Sequence, residues 1–187
     1  MPPLPPSPAS PGPTAAVLAR LPLGRRVLGL LAAALVGTVG LTAWEAVSLT
    51  GLAQPPVLGY ADHLRLALTG GAFFGALLCL AVGLPLWAVA ERLGWRSARA
   101  AAALGAALGL ALGVSLGPGE PIRDFLVGRT PPPDIPARAA WGVPTVVEGQ
   151  TTGFGWLLAL GALAWLAAVG ALEGLAACRV ALHRPRR

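Results

Sequence analysis

The chain has 187 residues, of which 55% are hydrophobic and only 12% charged, and its mean hydropathy is +0.68. A soluble domain carries about 25% charged residues. Half that value leaves too little polar surface to cover a water-soluble globule, which places the chain in the membrane class. The net charge of +6 comes from arginines that sit mostly at the ends of apolar runs. There they orient helices and meet anionic head groups, so nucleic acid is not the expected partner.

Residues 1–16, MPPLPPSPASPGPTAA, are low-complexity and proline-rich. Proline lacks an N–H and restricts the residue before it, so residues 1–20 read as a disordered tail. Arg20, Arg25 and Arg26 then precede an apolar run over 27–49. At 1.5 Å per residue it spans about 34 Å, enough for a hydrocarbon core of about 30 Å. A small-x-small site at Gly51–Ala53 would suit cleavage of a leader, but the run is longer than a signal-peptide core, which favours an uncleaved span.

Pro55, Pro56 and the neighbouring glycines mark a connector. A second span is expected over 64–90, with Pro85 in its last turns, and a third over 100–116, the shortest and richest in Ala and Gly. Residues 118–152 form a proline-rich extracytoplasmic loop with mixed charges. It holds too little apolar material for its own core, and the piece IRDFLVGR suits a short interfacial helix. A fourth span is expected over 154–177, and 183–187 form a basic tail. The resulting fold class is all-α: a four-transmembrane-helix bundle over 21–182 with a disordered N-terminal tail.

Arginine counting gives the orientation. With the N-terminus cytoplasmic, ten arginines lie inside (20, 25, 26, 92, 96, 99, 179, 184, 186 and 187) and four outside (65, 123, 129 and 138). Both termini are therefore predicted to be cytoplasmic. The chain has no Lys or Asn, and its only Ile residues are Ile122 and Ile135. That bias reflects GC-rich coding and points to the inner membrane of a bacterium. Trp44 and Trp156 suit an outer aromatic belt, Trp87 and Trp95 an inner one, and Trp165 a packing role.

The candidate ionisable sites in or beside the membrane are Glu45, Glu173, Arg65 and Arg92. Counted along the fourth span alone, Glu173 lies off-centre, as does Glu45 in the first. The favoured reading pairs Glu45 with Arg65, and Glu173 with Arg92 or Arg96. The sharper one makes each carboxylate a proton or cation relay. His63 and His183 fall on opposite sides, so they cannot share a haem iron. Cys79 and Cys178 read as free thiols. No catalytic residue, metal site or cofactor is expected: GxSxG and HExxH are missing, as are the CxxC of thiol oxidoreductases and the paired aspartates of lipoprotein signal peptidases.

Glycines at a spacing of four are the strongest remaining pattern: Gly71 and Gly75, then Gly105, Gly109, Gly113 and Gly117, then Gly170 and Gly174. Such positions share a helix face and let backbones approach closely. With alanines on its other faces, the third span is predicted to be the thin helix at the bundle centre. The expected function is a non-enzymatic membrane subunit or scaffold that packs with a partner membrane protein or with itself. The alternatives are a small transporter or channel using Glu45 and Glu173, and a lipid-active membrane enzyme drawing its acids from the outer loop.

Overall fold

A computed structural model describes residues 22–51, 59–94, 97–115, 119–129 and 137–182. The proline-rich segment 1–20, Gly117 and the basic tail 183–187 lie outside the described residues. Four helices are long and apolar enough to cross a membrane: α1 (Leu23–Thr50), α2 (Tyr60–Arg92), α3 (Ala98–Ser115) and, after a short α4 (Glu120–Leu126), α5 (Gly153–Leu182).

Local chemistry sets the helix ends. The Ser97 Oγ accepts the Ala100 N–H at 3.1 Å at the start of α3, and the Thr152 Oγ1 accepts the Gly155 N–H at 3.1 Å at the start of α5. Each satisfies a donor that the first turn leaves without an intrahelical partner. Asp62 in the first turn of α2 and Arg92 in its last have the signs that favour the helix dipole.

The four long helices stand in the order α2, α1, α5, α3, each antiparallel to its neighbour. Packing follows the glycines. A Cβ at Gly105 would run into the Gly170 carbonyl oxygen, and one at Gly170 into that of Gly105. Cβ atoms at Gly109 and Gly174 would strike the carbonyls of Leu166 and Ala101. Here α3 and α5 touch backbone to backbone, which maximises dispersion contact where side chains would hold the helices apart. Gly71 and Gly75 of α2 face Thr38 of α1, and Gly29, Gly37 and Gly40 of α1 face Ala177, Glu173 and Val169 of α5.

Two expectations need correction. First, α3 is not central. It packs on α5, with α4 as a minor neighbour, and has no substantial contact with α1 or α2 among the described residues. A thin helix needs only one close partner. The glycine face spends its close approach on α5, which itself takes the position between α1 and α3.

Second, the chain is not purely helical. Segment 138–151 folds into an antiparallel meander of β1 (Arg138–Ala140), β2 (Val143–Val147) and β3 (Gln150–Thr151). Its two-residue turns are Trp141-Gly142 and Glu148-Gly149, with φ of 50° and 74°, and 49° and 75°. Positive φ at both central residues matches the twist that a tight hairpin needs. The meander has no core of its own and leans on the helices. The Trp141 N–H donates to the Gly51 carbonyl and its indole N–H to the Thr50 Oγ1, both at 3.1 Å. The Thr152 Oγ1 donates to the Pro144 carbonyl at 2.7 Å. Phe125 of α4, in the piece expected to be helical, meets Trp156 of α5 edge to face at 5.9 Å.

The backbone contact between α3 and α5 has a direct consequence. Gly109→Leu should lower the thermal unfolding midpoint in detergent, at an overpacking cost of about 1–3 kcal/mol. Gly161→Leu, on α5 where an added Cβ meets nothing within 4 Å, should leave it unchanged.

Candidate functional site

Because α2 touches α1 and α3 touches α5, while α2 and α3 do not pack on each other, a cleft opens between α2 and α3. Its volume is about 330 Å³, and all four long helices line it. The walls are mainly apolar: Val82 and Leu86 from α2 face the side lined by Leu104 and Leu108 from α3. Two carboxylates, Glu91 and Glu173, belong to the lining.

Glu91, at the C-terminal end of α2, is held on both oxygens. Its Oε2 lies 2.9 Å from the Arg26 guanidinium, and its Oε1 accepts the Trp87 indole N–H at 3.0 Å. Both charged side chains are largely shielded, at 16% and 13% exposure. Shielding strengthens the pair relative to a surface ion pair, and equally raises the cost of separating it. This pairing joins the start of α1 to the end of α2. Sequence spacing gave no sign of it, because the partners lie 65 positions apart.

Glu173 is different. Its carboxyl sits against Gly37 of α1, where a Cβ would overlap the Glu173 Oε1 and come within 2.9 Å of Cδ. Gly37 is at the middle of α1, fourteen residues from Leu23. The antiparallel register of α5 on α1 therefore carries Glu173 to mid-helix level, although it is only nine residues from Leu182 along α5. Among the described residues Glu173 makes no hydrogen bond or ion pair. Arg92 is exposed and does not pair with it, and Arg96 lies outside the described residues.

Glu45 takes an unexpected partner too. Its Oε1 lies 2.8 Å from the His63 Nε2. Arg65, expected to meet Glu45, points away and lies 3.3 Å from Asp62. On a helix His63 and Arg65 are about 200° apart, so only one can face α1. Glu45 and Glu173 thus belong to different places, and Glu45 does not line the cleft. Trp165 combines packing with bonding: it lies 6.4 Å from Trp44 and donates its indole N–H to the Gly40 carbonyl at 3.1 Å. The loop acids Glu120 and Asp124 both flank Arg123, at 3.8 and 3.7 Å.

The shielded pair should show itself in a double-mutant cycle. Arg26→Gln should destabilise the protein by about 1–3 kcal/mol, because it strands the Glu91 charge. Adding Glu91→Gln should recover part of that loss, as read from unfolding midpoints of the single and double variants.

Compared with known proteins, the chain matches no family model, no curated protein and no solved structure.

Proposed function

We propose that this is a multi-pass protein of a bacterial inner membrane, with both termini cytoplasmic, that takes up a small hydrophobic ligand in the cleft between α2 and α3 and acts as a small membrane carrier. The observation that carries the reading is the cleft itself. Its volume is about 330 Å³, within the range of small-molecule sites, and its walls are apolar with a few polar groups, as such sites usually are. It opens between two helices that would face lipid, so a hydrophobic ligand could enter from the bilayer.

Depth adds support. With the inner boundary of the hydrocarbon at Arg26, Gly37 lies eleven residues above it. At 1.5 Å per residue that is about 16 Å, close to the midplane of a core about 30 Å thick. Glu173, beside Gly37, then becomes a carboxylate near the bilayer centre, where ionisable groups are costly and mark functional sites. Counted along α5 alone it looked peripheral. The glycine faces, which first suggested partner binding, are largely occupied within the chain by α1–α2 and α3–α5 packing.

A second reading, the non-enzymatic subunit or scaffold, keeps one observation in its favour. No residue of α2 is buried, and Phe73 and Phe74 are exposed at 66% and 67%, so α2 offers a broad face to lipid or to a partner membrane protein. The lipid-active enzyme would draw on loop acids that do not converge: Glu120 and Asp124 flank Arg123 at 3.8 and 3.7 Å, and Glu148 is exposed in a hairpin turn.

Topology is checked with a membrane-impermeant maleimide on single cysteines in a Cys79→Ala/Cys178→Ala background. Val127→Cys should label in intact spheroplasts, and Arg92→Cys only after permeabilisation. The cleft is checked by equilibrium dialysis of radiolabelled biphenyl against the detergent-solubilised chain. Saturable binding should fall at least about tenfold when Val82→Phe and Leu104→Phe fill the space. Equal uptake by both proteins would assign biphenyl to the micelle and remove the ligand-site reading.

A further inference from the structure

We propose that the cleft selects a hydrophobic monocation, meaning an organic cation whose single charge is shielded by apolar substituents. The inference rests on the cleft being a ligand site, and names the class of ligand.

The two carboxylates of the cleft differ in what they lack. Glu91 has its cation in Arg26 and a donor in Trp87. Glu173 has neither among the described residues, and it faces apolar side chains and the bare backbone of Gly37. An ionised carboxylate in such surroundings gains from any cation brought beside it, since Coulomb attraction grows as water is excluded. A neutral ligand would occupy the space and leave that charge uncompensated. An anion would be repelled.

The kind of cation follows from the walls. A small inorganic cation keeps its hydration shell unless several oxygens replace it, and calcium takes six to eight. Here one carboxylate stands in an apolar cleft, and no cluster of three or more metal-binding side chains exists among the described residues. An organic cation with buried charge has little hydration to lose and gains from apolar burial on all sides. One carboxylate without a cation matches one positive charge.

Protons compete for the same oxygen atoms. The titratable groups sharing the cleft with Glu173 are Cys79 and Glu91 from α2 and Cys178 from α5. Arg26 of α1 reaches in to hold Glu91. The lining residues from α3 carry no titratable group. Both thiols are neutral when protonated, and Glu91 already faces the Arg26 guanidinium, so the carboxylate left for a bound cation to neutralise is Glu173. Binding of the cation should weaken as pH falls and Glu173 takes up a proton.

The test uses the full chain in a non-ionic maltoside and equilibrium dialysis with three probes: tetraphenylphosphonium, its anionic counterpart tetraphenylborate, and neutral biphenyl. The phosphonium should bind saturably and at least about tenfold more tightly than the borate. That preference should decline on acidification. Glu173→Gln should weaken phosphonium binding by about tenfold or more and abolish its pH dependence.

Equal affinity for the two ions, or phosphonium binding indifferent to Glu173→Gln, would overturn the proposal. Saturable biphenyl binding in that case would leave the ligand-site reading standing, whereas failure of all three probes would remove both. Should Glu173→Gln fail to fold, the cation-to-anion ratio and its pH dependence in the unaltered chain decide the question.

Discussion

The contact of α3 with α5 through bare backbone governs the rest of the architecture. Carbonyls of Ala101, Gly105 and Leu166 occupy positions that side chains would need at Gly174, Gly170 and Gly109. Contact this close lets a short helix of 18 residues be held by one neighbour. It also fixes α3 on the far flank of α5, away from α2. The cleft is the space left when two flanking helices each commit to a different member of the central pair.

Polar groups then divide according to the helix pairs they join. His63 with Glu45, and Arg26 with Glu91, tie opposite ends of α1 and α2. These two side-chain contacts flank an interface whose middle is made by small residues, with Thr38 donating to the Ala34 carbonyl at 2.8 Å within its own helix. The α1–α5 interface instead carries Glu173 against Gly37. The same absence of a side chain that allows close helix packing elsewhere makes room here for a carboxyl group. Glycine serves two purposes in one fold: to remove bulk between backbones, and to admit a single polar side chain.

The helices were legible from length, hydropathy and Pro/Gly punctuation, and their observed ends differ from the expected ones by a few residues. The larger misses have particular causes. The meander was hidden because its strands are short and sit in a proline-rich loop. Its signals were the Trp141-Gly142 and Glu148-Gly149 doublets around the β-branched run VPTVV. The partners of Glu45 and Glu91 were hidden because helical facing, rather than nearness in sequence, selects His63 over Arg65 and Arg26 over any arginine beside Glu91.

The sequence by itself determined four apolar helices, their approximate limits, their arginine-rich ends and the small-residue faces on which they could meet. These are properties of single segments, set by composition and by a helical repeat of 3.6 residues. Only the tertiary structure decided which faces meet. Placing α5 between α1 and α3 depends on matching surfaces from distant segments, and the depth of Glu173 depends on the register of one helix against another. Neither quantity is written in any one stretch of chain, so a carboxylate that looked peripheral along α5 stands opposite the middle of α1.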